Sequence, residues 1–240
     1  GAVRRMTGPY IRRRPAALLA ALCLCLALTG CDTGAHMTVF DASSYVSGLL
    51  DQSFKKTWSN AWLDLVDLTE GAALDAYEAG LDQEYRRFAY QFDLQDASLT
   101  DETRQAARDL LAEICAKAQY TVQSAVALDD ERYAVEVKVR SIDLFLQVEA
   151  DDLSDYAAAF QAAHASDRPD ALDDADRSAY WTQYENDWAL GVVELCRSKL
   201  GLLGYGDVES ILVLVAPDDA GNYSMGDNDF ANLSALILPY

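Results

Sequence analysis

The chain has 240 residues, with 19 Lys and Arg against 39 Asp and Glu, for a formal net charge of −20 at neutral pH. So acidic a balance repels nucleic acid and anionic lipid or cell-wall polymer, which excludes a nucleic-acid partner and points to cationic, neutral or protein surfaces, or to solubility alone. Apolar residues make up 51% of the chain, enough for a sizeable core, while two histidines and five cysteines without a Cys-x-x-Cys spacing exclude the usual zinc sites.

In chain order, the first feature is an export pattern. Arg12, Arg13 and Arg14 precede Ala16 to Leu28, an apolar run of 13 residues. That length suits the apolar region of a signal peptide and is short for a membrane span. The run ends in Leu28-Thr29-Gly30-Cys31, which resembles a bacterial lipobox. Cleavage is expected before Cys31, with Met6 a natural start upstream. Cys23 and Cys25 leave with residues 1–30. A diacylglyceryl group on Cys31 supplies two acyl chains, enough for stable anchoring on the outer face of the cell membrane. Residues 1–30 hold five arginines and no acid, so the remainder carries 14 basic residues against 39 acidic ones, a formal charge of −25. Residues 31–40 form a lipidated linker that reaches roughly 30 Å when extended.

A first helix is predicted from Asp41, as its cap, to about Trp58, with Tyr45, Leu49, Leu50 and Phe54 at helical spacing. Asn60 to Asp67 reads as irregular. Thr69 caps a second helix to about Phe92, whose apolar face is Leu74, Tyr77, Leu81, Tyr85, Phe88 and Phe92. Thr100-Asp101-Glu102 opens a third, with Ala107, Leu110, Leu111, Ile114 and Ala118 on its buried stripe. The period then changes to two. Tyr120 to Leu128 and Tyr133 to Val139 alternate around Asp129 and Asp130, a β-hairpin with one wet face. Leu153 to His164 is helical, followed by a loop at Arg168-Pro169. A long helix runs from about Asp174 to Leu202, with Trp181, Tyr184, Trp188, Val192, Leu195 and Lys199 on one side. Val208 to Val215 reads as a central strand. Tyr223 to Met225 is a short strand, and Asp227 to Leu236 a closing helix. The expected class is α+β. N-terminal helices pack on a curved antiparallel sheet of about four strands, with a helical insertion, in a single domain over residues 41–240.

Besides the lipobox, four stretches are distinctive: Ala42 to Asp51, Glu78 to Asp82, Val135 to Val139 followed by Ile142-Asp143, and Tyr223-Ser224-Met225. With these the chain resembles a family of lipoproteins from Gram-positive anaerobes whose exported domain is cystatin-like or NTF2-like. The resemblance implies a fold and an extracytoplasmic, membrane-anchored address. It carries no catalytic motif.

No Gly-x-Ser-x-Gly, no Cys–His pairing and no phosphate-cradling glycine loop occurs, so no catalytic residue, cofactor or metal site is assigned. Asp170, Asp173, Asp174 and Asp176 lack calcium-loop spacing and read as helix-capping acids. Cys115 and Cys196 sit in apolar helical contexts and read as buried free thiols rather than a disulfide. An isomerase-type or hydrolytic site would need a pocket carboxylate and a buried donor; Asp143 and Tyr120 are the candidates, although Asp143 also fits a strand-end turn. Tyr120, Tyr133, Tyr184 and Trp188 are the aromatic residues placed to line a small apolar ligand, against a core role. The leading expectation is a non-catalytic, membrane-anchored module binding a ligand or a protein. An NTF2-like enzyme and a structural envelope protein are the alternatives.

Overall fold

The computed structural model describes residues 37–240, which fall into two compact units. The segments expected to be signal peptide and linker, with the expected lipidation site Cys31, lie outside the described residues. A sheet unit comprises residues 37–84, Leu111–Asp143 and Gly204–Tyr240; a helical unit comprises Tyr85–Leu110 and Leu144–Leu203. The α+β class expected from the sequence holds.

The sheet unit opens with helix α1, Val39–Leu50. It begins before Asp41 because Thr38 is the cap. The Thr38 hydroxyl accepts the Asp41 N–H at 3.1 Å, and the Asp41 carboxylate accepts the Thr38 N–H at 2.9 Å. This reciprocal box satisfies two otherwise orphaned donors. Past Leu50 the helix widens into a π-turn over Asp51–Lys55 and stops at Lys56, whose φ is +55°. Asn60 to Asp67, expected to be irregular, instead forms α2, Asn60–Val66. Ser59 Oγ accepts the Trp62 N–H at 3.1 Å, and Trp62, Leu63 and Val66 are buried. Helix α3, Glu70–Gln91, begins after Thr69 as predicted, with the Ala72 N–H donated to Thr69 Oγ1 at 3.1 Å. Helix α4, Asp101–Cys115, buries Ala107, Leu110, Leu111 and Ile114. Residues up to Glu84 of α3, and from Leu111 of α4, belong to the sheet unit.

Five antiparallel strands follow: β1 Gln119–Val122, β2 Val126–Ala127, β3 Tyr133–Ile142, β4 Tyr205–Pro217 and β5 Tyr223–Met225. Their order is β1-β3-β4-β5, with β2 paired to β3 as well. The predicted hairpin forms with Tyr120 opposite Val139, and its turn places Asp130 and Glu131 at positive φ. Its first arm is broken in two, because the Ala125 N–H leaves the ladder for Ser43 Oγ at 2.7 Å. The two expected hairpins join in one sheet through β3 and β4, Val137 standing opposite Ile211. The inner face carries Val135, Val137, Val139, Val213, Val215 and Met225, all buried. Tyr45 of α1 accepts the Met225 N–H at 3.2 Å. Helix α8, Asp227–Ile237, buries Leu233 and Ile237. α1 and α2 approach closely at Gly48, where a Cβ would stand 2.0 Å from the Trp62 ring.

The helical unit contains α5, Leu144–Gln147, a π-turn at Val148–Asp152, α6, Leu153–His164, and α7, Asp174–Ser198. Its core holds Phe88, Phe92 and Phe145, with ring centroids 4.9 to 5.6 Å apart. Trp188 donates its indole N–H to the Phe92 carbonyl at 2.9 Å. Buried Asn186 holds the chain around residue 99, donating to the Ser98 carbonyl at 2.9 Å and accepting the Thr100 N–H at 3.0 Å. The buried face of α7 runs through Tyr184, Trp188, Val192, Val193 and Cys196. The predicted stripe ended at Leu195 and Lys199. Lys199 instead pairs with Asp152 at 2.8 Å, keeping its ammonium at the unit's surface.

Candidate functional site

Four aromatic residues were singled out by sequence, and they divide between the units. Tyr120, on β1, donates its phenol to Asp51 Oδ1 at 2.5 Å. Lys55 Nζ lies 4.9 Å from the centre of its ring, and Phe54 is 6.4 Å away. Burial, reinforced by the Asp51 hydrogen bond, raises the Tyr120 pKa far above the ordinary tyrosine range. The phenol is therefore a fixed, neutral donor. Its carboxylate partner is Asp51, in the π-turn, and not the Asp143 considered from sequence. Asp143 is a turn residue that clamps Gly204: its Oδ1 accepts the Gly204 N–H at 2.7 Å, and its own N–H is donated to the Gly204 carbonyl at 3.1 Å.

Tyr133 donates its phenol to the Met37 carbonyl and stacks 6.1 Å from Tyr223. Tyr120 faces Val139, six residues along β3 from Tyr133, so the two positions are separated by roughly 20 Å of strand. Tyr184 and Trp188, in the helical unit, do come together, both packing edge-on against Phe160 at 4.9 and 5.2 Å. His164 completes that stack, 4.4 Å from Phe160 and 4.8 Å from Tyr184. Beside it, Tyr180 donates to Asp167 at 2.8 Å, and burial with this carboxylate pushes its pKa up to about 12. Tyr120, Tyr133 and Trp188 thus each spend their polar atom on a bond that holds the fold.

Two sequence readings about reactive groups can be located. Cys115 and Cys196 are both buried, and burial, with Glu149 nearby, pushes the Cys196 thiol up to about 12. Asp173 caps α7, accepting the Asp176 N–H at 2.8 Å, so the acidic run here serves the positive end of a helix. Among the described residues no group of three or more His, Cys, Asp or Glu is placed to hold a metal ion, and no helix is long and apolar enough to cross a membrane.

The feature that sequence reasoning missed is the outer face of the sheet. Val208 to Val215 reads as a continuous core strand, and β4 does lie between β3 and β5. Only alternate residues are covered, however. Val213 and Val215 point inward and are fully buried, whereas Val208, Leu212 and Leu214 are 60%, 66% and 40% exposed. The register sets Leu214 beside Ala134, which pairs in turn with Val126, itself 61% exposed. Glu136, Lys138 and Arg140 share this face, opposite Leu212, Ser210 and Val208. One edge of β4 is also open. β5 pairs only with Val215 to Pro217, and the adjoining Leu214 N–H is taken by Asp229 Oδ2 at 2.9 Å. Among the described residues no strand pairs with that edge between Val208 and Leu212.

No protein-family model matches the sequence, and neither does any curated protein. Among solved structures, the fold is similar to that of ycdA, a candidate lipoprotein from Bacillus subtilis subsp. subtilis str. 168, with a TM-score of 0.53 and 12% sequence identity. The match covers 83% of this chain and 56% of that one, so the chain spans little more than half the neighbour's length. At this level of identity the likeness is one of fold.

Proposed function

We propose that the chain is an extracytoplasmic lipoprotein, anchored through Cys31, whose outer sheet face is a non-catalytic docking surface for a protein partner. The observation that carries this reading is the exposure of Val126, Val208, Leu212 and Leu214 on one face. The solvent side of an antiparallel sheet is ordinarily polar, and a contiguous apolar patch on it marks an interaction site. Fully covering a Val or Leu side chain contributes about 1.5–3 kcal/mol, so a few such residues supply a useful share of a binding energy. The lipobox pattern supports the anchor, as does the description of the structural neighbour as a candidate lipoprotein. A cystatin-like or NTF2-like exported domain fits the same reading, since helices on one side of an antiparallel sheet leave its other side free.

A photoreactive amino acid at Leu212, illuminated in native membranes, tests the docking face. A discrete light-dependent adduct is expected, absent when the probe replaces exposed Asp75 on α3. An unmodified chain at both positions would reject the reading. The anchor is tested by growth with labelled fatty acid, which should enter the wild-type chain and not Cys31→Ser.

A further inference from the structure

We infer that the partner of this face is a second copy of the chain, joined edge to edge along β4 about a twofold axis at Ser210. The inference rests on the protein-binding reading above and names its occupant. The backbone supplies the first argument. The Leu214 N–H points away from β3, toward Asp229, so in an extended strand the N–H and C=O groups of Val208, Ser210 and Leu212 point the same way. The fold covers one end of this edge, with β5 and Asp229, and leaves these three residues open. Between Asp207 and Pro217 the strand has no proline or lysine of the kind that ordinarily blunts an edge, and its one charge is Glu209.

Side-chain complementarity then selects the occupant and the register. An antiparallel copy centred on Ser210 sets Val208 against the partner's Leu212, and Leu212 against the partner's Val208. Both exposed apolar residues meet apolar residues on the same face. Shifting the centre to Glu209 would oppose two carboxylates directly, which is destabilising. Shifting it to Ile211 would set Val208 against the partner's Leu214, whose N–H Asp229 already holds. The flanking charges agree with the Ser210 centre. Within one copy, Arg140 lies beside Val208 and Glu136 beside Leu212. Each apolar pair is therefore bracketed by an arginine from one copy and a glutamate from the other. The two Lys138 side chains are kept three strand spacings apart, about 14 Å, beyond the screening length of roughly 8 Å.

Five paired residues on each chain make a small interface beside the roughly 1,200 Å² of a stable one. The pair is accordingly expected between chains held on one membrane, where tethering raises the effective concentration. The test uses the full chain in membranes, with Cys31 kept, because the acyl group it carries in this reading both tethers the chain and blocks its thiol, and with Cys23 and Cys25 replaced by alanine. In a hydrogen-bonded antiparallel pair opposing Cα atoms lie about 5.5 Å apart, within reach of a disulfide. Mild oxidation should link Ser210→Cys into a dimer. Val208→Cys alone should link at least tenfold less, because four residues, about 13 Å, separate it from its counterpart. Val208→Cys with Leu212→Cys in one chain should link again. Adding Leu212→Lys to Ser210→Cys should lower the yield at least tenfold with an unchanged circular dichroism spectrum, since Leu212 is exposed. Equal linking of Ser210→Cys and Val208→Cys, or no linking of Ser210→Cys, would overturn the twofold pairing. If in that case the Leu212 photoadduct has the mass of a different protein, the second-copy inference fails and the docking face stands. If the photoadduct is missing too, both fail.

Discussion

Tyr120→Phe separates a structural tyrosine from a functional one. The substitution removes one oxygen and leaves the ring between Phe54 and Lys55. What is lost is the hydrogen bond to Asp51, which ties the π-turn Asp51–Lys55 to β1. A hydrogen bond to a charged group contributes about 1.5–3 kcal/mol net. Asp51 is only partly buried and regains water when the phenol goes, so the expected loss is at the lower end, about 1–2 kcal/mol. For a chain of this size that lowers Tm by roughly 2–8 °C. Thermal melts and urea titrations of Tyr120→Phe, Asp51→Asn and the double variant give the coupling directly. The double variant should cost about 1 kcal/mol less than the sum of the single ones. Fully additive losses would refute the assignment, since they would mean that neither group supports the other. A Tyr120→Phe chain as stable as wild type that no longer gives the Leu212 photoadduct would return Tyr120 to the binding machinery.

Glycines offer a contrast set. Gly48→Ala and Gly191→Ala should each destabilise by about 1–3 kcal/mol, because the new methyl would lie 2.0 Å from the Trp62 ring and 2.0 Å from the Tyr156 hydroxyl. Gly80→Ala, in the exposed interior of α3 with nothing within 4 Å, should stabilise; the expected gain in a urea melt is about 0.5–1 kcal/mol. Stability should hold up to about pH 10 and decline above it. Tyr120 and Tyr85 have pKa values raised in the fold, chiefly by burial and then by Asp51 and Asp96, so unfolded tyrosine ionises first and the native state loses ground until the folded values are passed. Removing one of them as Tyr120→Phe should visibly flatten that decline in Tm measured from pH 9 to 11. Cys196, buried and with its thiol pushed up to about 12, should resist iodoacetamide at pH 8 in the native chain and react once urea unfolds it, as followed by intact mass.

The long elements were legible because their information is local and repeated. Tyr77, Leu81, Tyr85 and Phe88 mark one face of α3 over several turns, and Thr69 and Asp173 cap their helices through bonds made three residues away. The alternation of Val135, Val137 and Val139 likewise declared a half-buried strand. Helices α2 and α5 are too short for a period to show, and they exist because Trp62 and Phe145 find partners distant in sequence: the Tyr45 carbonyl at 3.2 Å and the ring of Phe88 at 5.6 Å. Asp51 could not be matched to Tyr120 either, since 69 residues separate the two and only the packing of the π-turn against β1 joins them. The β4 run shows the limit most directly. Its apolar residues specify a strand, but a period of two places alternate side chains on opposite faces without saying whether both faces are covered. Only the tertiary structure decides that Val213 and Val215 meet a core and that Val208 and Leu212 meet water, because coverage depends on what else in the chain packs against each face.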